Sequence, residues 1–269
     1  MMSSKAVNQA YQNRPKPWKF QLFINTAIII LFLWSVQIVK PMPISEHGAV
    51  IARNIIRGII NPNFNIVFSM KPYHIPYMLL ETLSIAFLGT LIASILSFIL
   101  AILGAKNLGG KYGFFIVQPT ITFIRTTPVL LFAMIFVLTV GPGPFAGVLA
   151  IGINTTGVLT RMFIEIIEDI DMTPIESLDA IGATTIQKLS FAYIPMVFSQ
   201  LLSSAIYRLD INVRSSSTLG IVGAGGIGFL LTISINFFDW RSVGSVIWSM
   251  LLMVLILELI STKLRKKAE

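Results

Sequence analysis

The stretch MTPIESLDAIGATTIQKLSFAYIP, residues 172–195, is a short polar segment within an otherwise strongly apolar chain. Thr173 is placed to cap a helix, Pro174 to take its first position, and Glu176 follows three residues after the cap. This order of residues is typical of a capping box with proline at N1. The stretch therefore predicts a helix over 174–188 that lies outside the membrane.

Gly182 falls in the middle of this predicted helix, where glycine costs about 1 kcal/mol relative to alanine. Such a glycine is useful where another surface packs closely on the helix, so we expect a partner contact there. Apolar residues that could face the partner or the neighbouring spans recur along the segment: Ile175, Leu178, Ile181, Ile186 and Leu189. An ordinary amphipathic helix between two spans would show the same faces.

The chain around this segment has the composition of a membrane protein. Of its 269 residues, 55% are hydrophobic and 12% charged, and its mean hydropathy is +0.81, whereas a soluble domain has about 25% charged residues. Residues 20–39 are uncharged and long enough to cross a hydrocarbon core of about 30 Å. We interpret them as a retained anchor, because they exceed the apolar part of a signal peptide.

Five further spans and one short interfacial piece follow the anchor. The spans are predicted at 77–103, 124–141, 145–163, 190–211 and 244–260, and the interfacial piece at 113–123. The predicted fold class is therefore an all-α membrane protein with six transmembrane helices.

Lysine and arginine residues predict the orientation of these spans. The N-terminal arm 1–19 and the tail 261–269 are both basic, so both ends are expected in the cytoplasm. The loop 40–76 then lies outside, although it also carries basic residues. Membrane topology explains the net charge of +8, so we expect membrane lipid and not nucleic acid as a partner.

Residues 45–60 of the outer loop form a predicted amphipathic helix. Its apolar face comprises Ile51, Ile55, Ile56, Ile59 and Ile60. A helix lying in the membrane interface would have this pattern, and so would a contact surface for an external partner.

The residue types that the sequence lacks narrow its function. It has no cysteine, and its only histidines are His47 and His74, so neither thiolate chemistry nor a zinc site of several histidines is expected. It contains no G-x-x-x-x-G-K-[ST] motif for ATP hydrolysis. An integral-membrane enzyme acting on lipid phosphates would need a convergent catalytic set, and the spans offer only isolated carboxylates. We expect a non-enzymatic chain that binds no cofactor itself.

The polar segment resembles the cytoplasmic EAA loop of ABC importer permeases, whose pattern is E-A-A-x3-G-x9-I-x-L-P. Glu176, Gly182 and Pro195 match this pattern in register. The departures from it are Ser177 and Leu178 for the two alanines, Ala192 for the isoleucine and Ile194 for the leucine. Two further stretches look like the phosphonate-type subfamily: RTTPVLLFAMIFVLTVGPGPFAGVLAI at 125–151 and YRLDINVRSSSTLGIVGAGGIG at 207–228.

The resemblance implies a type I ABC importer permease with its core over 77–260, in the bacterial inner membrane. The segment 174–188 would be a coupling helix that contacts an ATPase through Glu176, Ser177, Leu178, Ala180, Gly182 and Pro195. Two separate ATPase subunits would bind ATP and Mg, and the chain would pair with a second copy of itself. An external binding protein would supply phosphonate, phosphite or a related phosphorus oxyanion. An importer of the same build for methionine or another oxyanion is the alternative.

Polar residues at membrane depth are the candidates for a translocation path or gate, because such residues usually face a cavity or each other. They are Arg125, Arg208, Asp210, Asn212, Arg214, Ser215, Ser216 and Ser217. Asp210 and Arg214 are four residues apart and are expected to pair. Arg208 is expected near the outer end of its span, where it either attracts an anion or extends to the headgroups. Arg125 is expected near the cytoplasmic face, as a topology anchor or as part of the path.

The run GIVGAGGIG at 220–228 contains G-x-G-x-x-G, the spacing of a dinucleotide site. That site needs a preceding strand and an acid about 20 residues further on. Here a polar stretch leaving a span precedes the run, and the next acid is Asp239, eleven residues after Gly228. We interpret the run as irregular, closely packed backbone of the translocation path. The glycines assigned to it are Gly223, Gly225, Gly226 and Gly228.

Overall fold

The computed structural model describes residues 18–39, 46–69 and 71–268, and every regular element in these ranges is helical. In chain order the α-helices are α1 Trp18–Ile38, α2 Glu46–Ile60, α3 Ile75–Gly104, α4 Gly110–Thr126, α5 Val129–Val140, α6 Pro144–Glu168, α7 Thr173–Ala180, α8 Thr185–Lys188, α9 Ile194–Leu219, α10 Ile227–Asn236 and α11 Trp240–Ala268. The predicted all-α fold class is confirmed. Most of the predicted basic arm, residues 1–17, lies outside the described residues.

The chain divides into two compact units at residues 50 and 51. The first contains α1, whose stretch Phe20–Ile38 is apolar enough to cross a membrane. This agrees with the predicted anchor at 20–39. The second unit contains the end of α2 and all the later helices.

Five helical stretches among the described residues are long and apolar enough to cross a membrane: Phe20–Ile38, Ile75–Gly104, Pro144–Glu168, Thr185–Asn236 and Trp240–Leu264. The pair formed by α4 and α5 makes a sixth if it is counted as one span, and it is bent by 88°. Thr127, at the bend, has an extended backbone with ψ of 124°, because the following Pro128 disfavours the helical conformation of the residue before it. The predicted interfacial piece 113–123 lies within α4.

Two helices extend beyond the spans predicted in them. The span predicted at 190–211 continues as α9 to Leu219, and the span predicted at 244–260 lies within α11, which begins at Trp240. Hydropathy falls along YRLDINVR, residues 207–214. A prediction based on hydropathy therefore places the end of the span before the end of the helix. The helix continues because its polar residues find partners on neighbouring helices.

The core is built on α3 and α6, which pack along each other through small residues. A Cβ added at Gly89 of α3 would lie 2.7 Å from Cγ2 of Ile151 in α6, so the two helices approach closely at this point. Further along the same pair, Ser97 Oγ donates a hydrogen bond to the carbonyl of Thr156 at 3.1 Å. Both α4 and α9 pack against this pair.

The end of α2 packs on the start of α11. A Cβ added at Gly58 would overlap the carbonyl of Trp240, and one added at Gly244 would overlap the carbonyl of Gly58. Trp248 Nε1 also donates to the carbonyl of Ile59 at 2.9 Å. The last turn of the predicted outer-loop helix is therefore fixed to the bundle through glycine contacts.

Candidate coupling segment and translocation path

The polar segment forms two short helices, α7 and α8, so the prediction of one helix over 174–188 is wrong. Gly182 lies between them with φ of +79°, a left-handed conformation that favours glycine. The amide of Gly182 donates to the carbonyl of Asp179 and that of Ala183 to the carbonyl of Leu178, both at 3.0 Å. These two bonds form a Schellman motif, which ends a helix.

The role predicted for Gly182 within this chain therefore changes. A Cβ added there would meet nothing within 4 Å, so no part of the chain packs on this glycine. Its conformation, and not a close contact inside the chain, is the reason for glycine at this position.

The predicted capping box at the start of the segment is also wrong. The helix begins at Thr173, and Asp171 Oδ1 accepts hydrogen bonds from the backbone amide of Thr173 at 3.0 Å and from its Oγ1 at 2.8 Å. These bonds hold the pKa of the Asp171 carboxyl below its ordinary value. The capping box lies instead at α8, where Thr184 and Gln187 bond each other reciprocally.

The apolar residues of the segment divide into an inner and an outer set. Ile175 is buried, and Leu178 and Leu189 pack against the same core cluster. Ile181 and Ile186, in contrast, are 77% and 75% exposed. Leu178, which replaces an alanine of the EAA pattern, thus anchors the segment to the bundle.

The remaining predicted coupling residues surround this exposed pair. Glu176, Ser177, Ala180 and Pro195 are all exposed. Lys188 Nζ and Asp179 Oδ1 lie 2.7 Å apart, so an ion pair joins the two short helices across the break. The segment thus presents an exposed surface with two large apolar side chains, supported by a bonded turn.

A row of polar side chains follows one face of α9. Its members, spaced four and three residues apart, are Gln200, Ser204, Tyr207, Ile211, Arg214 and Thr218. All are exposed or half-buried, and only Ile211 is apolar. We call these six residues the polar row.

The charged candidates of α9 lie on or beside the polar row. Arg214 Nη2 donates to Asp210 Oδ2, as predicted from their spacing. Arg208 is half-buried, and its Nη2 donates to Asn154 Oδ1 of α6 at 3.4 Å. Ser215 is also half-buried, and its Oγ donates to the carbonyl of Ile211 at 3.1 Å.

Arg208 does not lie near the end of its helix, contrary to the prediction. It follows Ile194 by fourteen residues and precedes Leu219 by eleven, which places it about 21 Å and about 16 Å from the two ends. The prediction was wrong because it ended the span at residue 211.

Arg125 also lies deeper than predicted. It is exposed in the last turn of α4, two residues before Thr127 at the bend. Asn154 Nδ2 donates to the carbonyl of Thr127 at 3.1 Å, and Asn154 is ten residues into α6. The bend is therefore about 15 Å from the start of α6, near the middle of the bundle rather than at its cytoplasmic face.

Three of the predicted path residues lie inside the bundle. Asn212 is 2% exposed, and its Nδ2 donates to Thr90 Oγ1 of α3 at 2.8 Å and to Thr155 Oγ1 of α6 at 2.9 Å. Ser216 is fully buried and donates to the carbonyl of Thr82 at 3.2 Å. Ser217, also buried, donates to the carbonyl of Val213. Asn212 and Ser216 thus join α9 to its neighbours within one copy, whereas Ser217 bonds within α9.

The glycine run connects α9 to α10 through an irregular turn, as interpreted from the sequence. Gly223, Gly225 and Gly226 all have positive φ. A Cβ added at Gly225 would lie 2.7 Å from Glu81 Oε1 and 2.8 Å from Pro144 Cα. A Cβ at Gly228 would overlap the carbonyl of Ser217, so the turn is closely packed.

The start of α10 is capped by side chains of α3. Glu81 Oε1 accepts from the amide of Gly226, and Thr82 Oγ1 accepts from the amide of Ile227, both at 2.8 Å. These bonds satisfy amides that the first turn of a helix leaves without a partner. The amides of the run thus bind the protein's own side chains, where a dinucleotide site would leave them for phosphate.

A family profile described as "Binding-protein-dependent transport system inner membrane component" matches residues 93–267. The chain belongs to this family. It is a multi-pass inner membrane protein and a transport subunit, not an enzyme.

The relatives of this permease agree with the subfamily resemblance. It is 37% identical over 186 residues to the putative phosphite transport system permease protein HtxC of Stutzerimonas stutzeri, covering 69% of this chain and 66% of that protein. It is 37% identical over 189 residues to the phosphite transport system permease protein PtxC of the same organism, covering 70% and 69%. The phosphate-import permease protein PhnE of Mycolicibacterium smegmatis is 32% identical over 238 residues, covering 88% and 43%. The chain thus spans about two thirds of the phosphite relatives and less than half of the mycobacterial one.

Solved structures confirm the fold of the permease. The MetNI methionine ABC transporter in an inward-facing conformation matches with a TM-score of 0.63 at 18% identity, covering 72% of this chain and 96% of that one. An amino acid ABC transporter crystallised with histidines matches with a TM-score of 0.59 at 17% identity, covering 84% and 100%. At these identities the likeness concerns the fold alone, which is that of a type I ABC importer permease.

Several residues that organise the permease were missed from its sequence. Asn154 and Thr155 lie in the motif INTTG of α6, where consecutive polar residues inside an apolar span were a usable signal. Thr82 and Thr90 gave no such signal, because an isolated threonine in a membrane helix commonly bonds the carbonyl four residues earlier. Both do so here, and both also accept bonds from the second half of the chain.

Proposed function

We propose that this chain is the membrane-spanning subunit of an ATP-driven importer of phosphonate, phosphite or a related phosphorus oxyanion. It acts as two copies, with two ATPase subunits on the cytoplasmic side and a binding protein outside. The relatives named for phosphite and phosphate transport support this class of substrate.

The polar row of α9 is the observation that carries the proposal. Tyr207 and Arg214 are exposed on a helix that is long enough to cross the membrane. Hydrocarbon cannot solvate such groups, and polar residues in spans face protein or water-filled cavities. A second copy that covers the row, with a hydrated path between the two copies, meets this requirement.

The exposed pair Ile181 and Ile186 suits the ATPase contact. Two large apolar side chains exposed on the polar segment 172–195 suit an interaction surface. The Schellman turn and the ion pair between Asp179 and Lys188 keep α7 and α8 in a fixed arrangement. Motion of the ATPases upon binding ATP with Mg would therefore reach the bundle through Ile175 and Leu178.

Access then alternates between the two sides of the membrane. ATP binds better to one of two arrangements of the complex and shifts the population toward it. Both chain ends lie in the cytoplasm, and the turn 141–143 and the glycine run lie at the outer end of the bundle. The binding protein releases its ligand there, so it supplies most of the selectivity.

Reconstitution tests this function. The chain is assembled with its cognate ATPase and binding protein in liposomes, and ATP-dependent uptake of phosphite, methylphosphonate and methionine is measured. We expect saturable uptake of phosphite or methylphosphonate and none of methionine. Uptake of methionine alone would overturn the proposed substrate, and uptake without the ATPase would overturn the proposed mechanism.

A further inference from the structure

Two arginines of one copy lie at the same depth of the bundle. Asn154 marks this depth, because its Oδ1 accepts from Arg208 and its Nδ2 donates to the carbonyl of Thr127, two residues after Arg125. Asn154 is about 15 Å from the start of α6, and Arg208 is about 16 Å from the end of α9. Since these helix ends meet at the glycine run, the backbones at Arg125 and Arg208 both lie near the middle of the bundle.

Neither arginine is neutralised by an acid. The other arginines beside the path do have acidic partners, since Arg214 pairs with Asp210 and Arg161 with Glu165. Within residues 18–39, 46–69 and 71–268, neither Arg125 nor Arg208 has a carboxylate within 4 Å. Each copy therefore holds two uncompensated positive charges at this depth.

The hydrogen-bonding capacity of Arg208 is also incompletely used. Its Nη2 bonds Asn154, but its buried Nε has no hydrogen-bond partner in the part of the chain that the structure describes. A buried donor without a partner costs free energy. Because this donor is buried within one copy, the guanidinium has to turn before an oxyanion in the path can accept from Nε and remove that cost.

We propose that Arg208, held by Asn154, and Arg125 form an anion subsite midway along the translocation path. The proposal rests on the proposed function, because it needs the exposed face of α9 to line that path. The ligand is a tetrahedral phosphorus oxyanion, whose oxygens accept from the planar donors of a guanidinium. The subsite gives the passing anion a countercharge at the depth where the membrane opposes charge most strongly.

Charge-removing and charge-keeping variants of the assembled transporter test this subsite. We compare Arg208→Gln, Arg125→Gln, Arg208→Lys and Arg125→Lys in liposomes with ATPase and binding protein, and measure uptake of phosphite and methylphosphonate. Loss of a charge-assisted hydrogen bond predicts a fall in uptake of about tenfold or more in each Gln variant. The Lys variants keep the charge but lose the planar fork of donors, so their uptake should fall clearly less than that of the Gln variants. ATP hydrolysis stimulated by the binding protein should persist in all four.

The control is Lys263→Gln, which removes the same charge from an exposed position in α11 and should leave uptake unchanged. Normal uptake in both Gln variants overturns the subsite. So does an equal loss in the Lys and Gln variants of Arg208, because that result indicates packing against Asn154 and not charge. If the unaltered transporter moves neither oxyanion, the proposed function itself has failed, and the two failures are thereby distinguished.

Discussion

The helices α3 and α9 are both long enough to cross the membrane, but they expose opposite chemistry. The large side chains that α3 exposes along its length are apolar except for the hydroxyl of Tyr77: Leu80, Phe87, Leu88, Leu91, Ile92, Ile95, Leu96, Ile99 and Leu103. Along α9 the polar row is exposed, with Ile211 as its single apolar member, and the exposed apolar side chains Phe198 and Leu202 lie near the start of the helix. The difference shows that length and hydropathy identify a span, whereas the exposed face indicates what surrounds it. In one copy, α3 is suited to lipid and α9 to protein and water.

The largest effect is expected when a charge is added to the exposed apolar face of α3. Leu91→Arg places a guanidinium near the middle of α3 on its exposed face, where insertion costs about 3 kcal/mol. We expect a large loss of folded protein in the membrane, measured by yield and by thermal unfolding in detergent. Ile211→Arg is the matched control within the polar row, and it should be tolerated. Equal losses in the two variants would remove the distinction between the helices.

The next largest loss of stability is expected where the glycine turn that follows α9 packs on α3. Gly225→Ala adds a Cβ at φ of +81°, 2.7 Å from Glu81 of α3. Backbone strain and overlap together should lower the free energy of unfolding by about 2–3 kcal/mol. Gly110→Ala is the control, since Gly110 has φ of +65° but open space around it. A loss no greater than in this control would show that the turn accommodates the added Cβ and that the close packing on Glu81 does not contribute.

A smaller effect is expected where the buried face of α9 meets α3 and α6. Asn212→Ala removes the bonds to Thr90 and Thr155. Hydrogen bonds between membrane helices contribute about 0.6 kcal/mol on average and rarely exceed about 1.7, so a loss of about 1 kcal/mol is expected. Thermal unfolding of the variant measures it, with Thr218→Ala on the exposed row as a control that should change stability little.

A change in stability no larger than that of Asn212→Ala is expected at the segment that leads into α9. Gly182→Ala forces a left-handed conformation on alanine, which costs about 1 kcal/mol, while the open space avoids a clash. We expect the coupling of ATP hydrolysis to uptake to decline more than stability does. Parallel assays of uptake, hydrolysis and unfolding check this, and Gly110→Ala, which imposes a similar backbone strain in open space outside this segment, is the control. Unchanged coupling in Gly182→Ala would contradict the proposed role of this turn.

Much of this architecture could be predicted from short-range patterns in the sequence. Hydropathy locates the anchor and α3, the spacing of Asp210 and Arg214 predicts their pairing, and the context of the glycine run excludes a dinucleotide site. These features depend on residues close together in the chain, so no tertiary information is needed to recognise them.

The features that were predicted wrongly depend on competing local bonds or on distant partners. Thr173 matched the pattern of a capping residue, but the helix begins at Thr173 and the side chain of Asp171 accepts the hydrogen bond from its amide. Gly182 suits either a close contact or a left-handed turn, and only the backbone decides between them. The end of α9 lies beyond residue 211 because Asn212 and Ser216 bond helices far away in sequence. Single-sequence periodicity contains no such information.

The polar row also bears on how the cell handles this subunit before assembly. A single copy in the bilayer would expose Tyr207 and Arg214 to acyl chains, whereas the large exposed side chains of α3 are suited to lipid. In the proposed assembly of two copies, the second copy would cover this row. An unpaired subunit would then differ from a paired one by an exposed polar stripe along one helix, which a membrane chaperone or protease could recognise.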